Sequence, residues 1–334
     1  YNVGIGYGAA SGAADIGDHS VYIGYLAGKV NTGQYNVIIG SDAAVASTAM
    51  GSGVVIGRQA GLALSTADQV GVIVGALAGS SLTDGEENTI LGFYAGKNGN
   101  FNKSTIVGHK AGESNTADYV TLVGWESAPA NTGDRTTAFG AYALKANTSG
   151  NHNVAMGYVS LYKNVHGDNN TAIGNYTLYN TAPADDTGGN TALGYQAGYA
   201  NTTGIGNVFI GANAGYGATA TDSNKLFIAN ATGTPLIGGD FSGGGTLTIN
   251  ATGNTPYSVV IKGNDSSGAD GLAIDNYEPR LSFINRRGTD ETWSIRADNA
   301  TSSLQFRKDS QLQKMILSST DGGGVTFGIA AEAA

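Results

Sequence analysis

The chain has 334 residues, 53 of them glycine, with 41% apolar and 13% charged side chains and a formal charge of −9. Glycine at this density disfavours helix, and the apolar content is too high for a disordered chain. The 17 Lys and Arg are scattered without a basic cluster, which argues against a nucleic-acid surface. The absence of cysteine excludes disulfides and thiolate metal sites. The strongest apolar run, Val70 to Ala78, is too short and too glycine-broken to cross a membrane.

From Tyr1 to about Gly215 one pattern returns roughly every seventeen residues, most plainly in Asn190-Thr191-Ala192-Leu193-Gly194-Tyr195-Gln196-Ala197-Gly198. Aligned on the glycine after the apolar triplet, thirteen copies fall at Gly6, Gly24, Gly40, Gly57, Gly75, Gly92, Gly108, Gly124, Gly140, Gly157, Gly174, Gly194 and Gly211. Their spacings run from 16 to 20 residues, as expected of a fixed strand joined by loops of variable length. Such a unit is too short for a helical-pair repeat or a propeller blade and suits one coil of a parallel β-roll. Twelve steps of one strand spacing give a rod of about 58 Å.

The columns of the repeat define the strand. The residue before the anchor glycine is apolar in every copy, for example Ile23, Ile56, Val107 and Leu193, and the residue three before it is always Val or Thr. These two columns share a face by strand alternation and are expected to point inward. The column between them holds Ile38, Val55, Ile73, Ile90, Ile106, Leu122 and Phe209 among others and is expected to point the opposite way. Apolar residues on both faces imply that a second surface covers the outer one, and another copy of the chain is the natural cover. The seven residues just named are therefore the candidate interface between chains. Small residues three and four after the glycine, as in Ala27-Gly28 and Ala197-Gly198, suit tight turns and close coil-to-coil approach.

The motif Asn-x-[small or apolar]-Ile-Gly-x-x-Ala-Gly, as in Asn36 to Ala44, Asn153 to Leu161 and Asn207 to Gly215, resembles the head repeats of trimeric autotransporter adhesins and related bacteriophage tail-fibre proteins over about two-thirds of the chain. The resemblance implies a left-handed parallel β-roll in a homotrimer, with the second apolar column buried about a threefold axis. These repeats are longer than usual for adhesin heads and include Tyr-rich variants such as Asn175-Tyr176-Thr177-Leu178-Tyr179.

After the repeats, Lys225 to Ala229 reads as a last strand, and 229–245 as a glycine-rich linker. Residues 246–334 then alternate short strands and turns: Thr246 to Ile249, Ser258 to Lys262, Gly271 to Asp275, Arg280 to Asn285, Thr292 to Arg296, Ser303 to Arg307, Lys314 to Leu317 and Val325 to Phe327. That count predicts a compact β-sandwich after a roll spanning 1–228. The cadence of Trp293-Ser294-Ile295-Arg296 and Leu304-Gln305-Phe306-Arg307 resembles sandwich modules near the C-terminal end of phage tail fibres. Tyr1 enters the first repeat without an initiator Met, as expected of part of a longer chain.

No pattern in the sequence predicts catalysis or a cofactor. Gly4-x-Gly6-x-Gly8 belongs to the repeat and not to a dinucleotide loop. Glu86-Glu87 and Asp185-Asp186 read as solvated loop charge, because adjacent carboxylates on one strand diverge. His19, His109, His152 and His166 lack metal-ligand spacing, and the oxygen-rich turns Asp84-Gly85-Glu86 and Gly167-Asp168-Asn169 lack that of a calcium loop. Trp125, Tyr158 and Tyr195 follow their anchor glycines and are candidate glycan contacts, although recurrence at one repeat position favours packing. An ice-binding solenoid would need an exposed Thr array uninterrupted by Val. The expectation is a non-enzymatic, homotrimeric, receptor-binding fibre, a phage tail fibre in the virion with other tail proteins and a host-surface glycan or protein as partners. A bacterial surface adhesin or filament subunit is the alternative, and a polysaccharide depolymerase a weaker one.

Overall fold

The computed structural model describes residues 1–12, 17–65, 71–217, 220–233, 235–242 and 246–249, and five later strands at 280–285, 291–298, 303–308, 311–320 and 324–330. Among the described residues every regular element is a strand. The chain divides into two units, Tyr1–Gly253 and Asn254–Ala334.

The first unit is a β-solenoid. Its strands β1 (Val3–Ile5), β2 (Val21–Ile23), β3 (Val37–Ile39), β4 (Val54–Ile56), β5 (Gly71–Val74), β6 (Asn88–Leu91) and β7 (Thr105–Val107) each supply one coil. The series continues with β8 (Thr121–Val123), β9 (Thr137–Phe139), β10 (Val154–Met156), β11 (Thr171–Ile173), β12 (Thr191–Leu193), β13 (Val208–Ile210) and β14 (Lys225–Ile228). All fourteen pair parallel in sequence order and in register, so Val154 faces Thr137 on one side and Thr171 on the other. Each column of the repeat is therefore a physical ladder.

The anchor glycine fixes the close approach of the coils. Its φ lies between 108° and 143° in all thirteen copies. A Cβ placed on any of the first twelve would sit 2.3–2.7 Å from the next anchor's carbonyl oxygen. Both the backbone angle and the contact exclude a side chain.

The direction of the strand faces reverses the sequence expectation. Ile38, Val55, Ile73, Ile90, Ile106, Leu122 and Phe209 are at most 1% exposed and form the core of a single coil stack, so they are not a surface between chains. The flanking columns face outward instead, with Ile5, Phe139, Met156, Ile173, Leu193 and Ile210 exposed. Since both faces of these strands are apolar, alternation alone could not choose between them. Two other signals could. The column three before the glycine carries six threonines, whose hydroxyls fit a wet face better than a core. The middle column also varies in volume against the position four after the glycine. Tyr22 pairs with Gly28, Ile90 with Gly96 and Phe209 with Gly215, whereas Ala138, Ala155 and Ala172 pair with Leu144, Leu161 and Leu178. These leucines are buried, and a Cβ on Gly28 or Gly215 would strike the Tyr22 or Phe209 ring. Large and small residues alternate between the two positions to keep the interior close-packed.

Two polar ladders also run inside the coils. At the strand entrance, Oδ1 of Asn36, Asn88, Asn153, Asn170, Asn190 and Asn207 each accepts the backbone N–H at the same position of the next coil, at 2.8–3.1 Å. Seven residues after the anchor glycine, Asn131 Nδ2 donates to Asn115 Oδ1, Asn147 Nδ2 to Asn131 Oδ1 and Asn164 Nδ2 to Asn147 Oδ1, at 2.6–3.0 Å. Thr181 interrupts this chain of amides: its hydroxyl donates to Asn201 O, and Asn164 Oδ1 is left buried without a partner.

The glycine-rich stretch 229–245 contains a strand. β15 (Ile237–Asp240) folds back antiparallel on β14, and β16 (Thr246–Ile249) pairs antiparallel with β15, so Thr246–Ile249 ends the first sheet instead of opening the second unit. Antiparallel return needs only a short connection. In the second unit β17 (Arg280–Asn285), β18 (Glu291–Asp298), β19 (Ser303–Lys308), β20 (Gln311–Thr320) and β21 (Gly324–Ala330) form one antiparallel meander. The strands expected at 258–262 and 271–275 lie outside the described residues.

Three substitutions test these constraints. Gly124→Ala is expected to cost about 3 kcal/mol or more, from the positive φ and the backbone contact together. Gly4→Ala, whose Cβ would meet nothing within 4 Å, is expected to leave the thermal midpoint unchanged. Thr181→Asn is expected to complete the amide chain and stabilise by about 0.5–1.5 kcal/mol, read by thermal unfolding.

Candidate functional site

The corner that follows each anchor glycine is a tight turn in which residues two and four after the glycine have positive φ, as at Tyr142 (58°) and Leu144 (52°) or Tyr176 (59°) and Leu178 (48°). Ordinary side chains tolerate this conformation only when neighbours hold it. Here backbone bonds between coils do so: Tyr142 N–H donates to Trp125 O at 2.9 Å, Tyr176 N–H to Tyr158 O at 3.0 Å and Leu178 N–H to Ala197 O at 2.9 Å. Side chains on this corner are thereby fixed at one strand spacing.

Aromatic residues gather along it. Trp125, Tyr158 and Tyr195, the candidate glycan contacts, are 55%, 43% and 50% exposed and lie on the same edge. Each contacts an aromatic ring in an adjacent coil. Phe93, His109 and Trp125 form a run with centroids 5.5 and 5.2 Å apart. Tyr142, Tyr158, Tyr176 and Tyr195 form a second run at 5.6–6.2 Å, with ring planes at 70–79°. Packing against neighbours and exposure to solvent are thus combined in the same side chains.

Sequence reasoning missed a second row. Tyr162, Tyr179, Tyr199 and Tyr216, each five after an anchor glycine, stack with centroids 5.2–5.4 Å apart and planes within 14°. Tyr176 and Tyr179, with centroids 6.0 Å apart, link the two rows. The signal was present as one residue type at one repeat position in four consecutive coils, four positions beyond the column of Trp125, Tyr158 and Tyr195.

The surroundings are polar but carry little unpaired charge. Lys145 pairs with Glu126 and lies over the Tyr142 ring, and Glu126 also accepts from Trp125 Nε1 at 3.2 Å. The Lys145 ammonium holds the Glu126 carboxyl below its ordinary value. Lys163 lies over Tyr179, 5.4 Å from the ring centre, and donates to Asn180 Oδ1 at 2.8 Å. Among the described residues the hydroxyls of the stacked row make no hydrogen bond.

The other sites considered do not assemble. Glu86-Glu87 and Asp185-Asp186 are exposed on separate coils. Asp185 accepts from the Thr187 hydroxyl and N–H, which hold it below the usual carboxylate value, the reverse of what a general acid requires. His166 shares a hydrogen bond with Ser149, while His19 lies between Tyr1 and Tyr35, and no three metal-ligating side chains converge among the described residues.

Tyr179 gives this corner a pH signature. Partial burial, then the neighbouring phenols of Tyr162, Tyr199, Tyr176 and Tyr158, push its ionisation above the ordinary phenol value. As pH rises past about 10 the unfolded chain loses this proton first, so the contribution to stability is complete below that pH and declines above it. Above about pH 10 the thermal midpoint of the wild type is expected to fall more steeply than that of Tyr179→Phe. Comparison with protein-family models, with curated proteins and with solved structures finds no match to the chain.

Proposed function

We propose that the chain is a structural and receptor-binding fibre protein that acts as a homotrimer, of the kind found in phage tail fibres, and attaches to a host-cell surface through many weak contacts. The observation that carries this reading is the outward sheet face. Two columns over thirteen coils place twenty-six side chains on it, almost all Val, Thr, Ile or Leu, with no charged residue among them. That number falls within the roughly 20–30 residues per partner of a stable protein interface. A continuous apolar face of this extent on a free chain would be an aggregation surface. Packing against identical faces about an axis parallel to the rod would cover it, and in-register columns give each chain the same complementary profile.

The covering surface inferred from the sequence is therefore retained with its residues exchanged: Leu91, Thr121, Phe139, Leu193 and their column neighbours take the place of Ile38 and the other buried residues. Attachment fits this assembly because three copies of one weak site raise the effective concentration of each. A surface adhesin would use the same architecture, and the difference between the two lies in what anchors the fibre.

Light scattering is expected to give about three times the 33.7 kDa chain mass. Leu91→Glu together with Thr121→Glu, both on the outward face, is expected to yield a folded monomer, whereas a monomeric wild type would overturn the reading. Binding of labelled protein to a panel of bacterial cells is expected to weaken by about 10²–10⁴-fold in that monomer if attachment is multivalent.

A further inference from the structure

We infer that the two tyrosine rows on coils nine to thirteen form a binding track for an uncharged, extended, β-linked polysaccharide running along the solenoid. This deepens the attachment reading by naming the ligand class and the corner that takes it.

The fold does not require these tyrosines. The same position, five after the anchor glycine, holds Lys29, Val45, Leu62, Glu113 and Pro129 in earlier coils with the same parallel register. Eight of the chain's 17 tyrosines nevertheless lie on this corner over five consecutive coils. A residue needed only for coil packing would recur along the whole stack, so the concentration calls for another cause.

The chemistry selects a carbohydrate. Aromatic rings offer apolar faces to the C–H surface of a sugar, and phenol hydroxyls both donate and accept to its hydroxyls. Rings in the first row cross at 70–79° and are not stacked on one another, and Tyr158 and Tyr195 are 43% and 50% exposed. The second row stacks at 5.2–5.4 Å, close to the length of one sugar unit in an extended β-linked chain, and repeats a phenol at that interval along a partly exposed row. Asn180 is positioned beside this row by bonds to Lys163 and to Tyr199 O at 2.8 and 2.9 Å. Lys145 is already paired with Glu126, and Lys163, bonded to Asn180, adds a single positive charge beside the stacked row, too little to select a polyanion. Because cross-coil backbone bonds fix the ring positions, little ordering is left for the ligand to impose.

The test uses the full chain on four matrices: cellulose and chitin as uncharged β-linked polymers, granular starch as an α-linked control and heparin-agarose as a polyanion. Retention on cellulose or chitin and not on the two controls is expected. Tyr179→Ala/Tyr199→Ala is expected to lose at least about tenfold in affinity, and Tyr7→Ala/Tyr25→Ala, a stacked exposed pair far along the same edge, to lose none. Tyr162→Phe/Tyr179→Phe/Tyr199→Phe keeps the rings and is expected to remain folded with weakened retention, separating lost hydroxyls from lost structure. Retention that is absent, directed to starch or heparin, or undiminished in the double alanine variant overturns the track. Cell attachment of the same variants distinguishes the two readings. Attachment without glycan retention overturns the track alone, whereas tyrosine-dependent retention without attachment supports the track and overturns the fibre function.

Discussion

The solenoid depends on the near-contact of one glycine with the next. At each coil the anchor glycine turns its would-be side-chain direction straight at the following carbonyl, with φ near 130° in most copies. A residue with a Cβ would hold the coils apart at that corner while the strands pulled them to hydrogen-bonding distance. The rest of the repeat is arranged around this fixed point: the strand that precedes it, the tight corner that follows it, and the Asn whose side-chain oxygen meets the next coil's N–H at the strand entrance. Loop lengths can vary because the variation is placed away from it.

In-register stacking divides the first unit into ladders with separate tasks. The middle strand column and the position four after the glycine fill the interior together, so neither can be interpreted alone. The amide ladders satisfy buried polar atoms where the chain leaves and enters the strand. The outward columns remain apolar, and the corner after the glycine is free to vary, since its conformation is set by backbone bonds and not by the identity of the side chain. That freedom is visible in its composition, which ranges from Tyr and Trp to Gln, Lys and Glu across the coils. Assembly and recognition can therefore occupy different faces of one coil without competing for residues.

The repeat, its period and its strands were legible in the sequence because glycine and β-branched residues recur in fixed columns. The direction of the strand faces was not, since Ile38 and Ile39 are equally apolar and one is buried while the other faces outward. Beside the threonines of the outer column, the compensation between Ala155 and Leu161, or between Phe209 and Gly215, identifies the interior, and that correlation appears once the two positions are compared across coils. At the corner, Trp125, Tyr158 and Tyr195 were recognisable as a column. The second row at Tyr162, Tyr179 and Tyr199 lies four residues beyond that column, and its proximity to Tyr176 depends on how sharply the turn closes. The strand at Ile237–Asp240 was obscured by its glycines, which mark a linker and a tight antiparallel return equally well.

The amide ladders bear on how such a rod carries mechanical load. Backbone and side-chain hydrogen bonds between coils run along the stacking direction, so tension applied along it reaches every coil junction in series and the weakest junction limits the whole. The junction between the coils anchored at Gly57 and Gly75 has Leu64 and Leu82 where others carry amides, and Gly53 and Gly71 where others carry the strand-entrance Asn. Apolar packing holds that junction well against heat but is short-ranged, decaying within a small separation once water can enter. Under axial pull such apolar packing gives way differently from the coils between Asn115 and Asn164, where side-chain amides bridge one coil to the next.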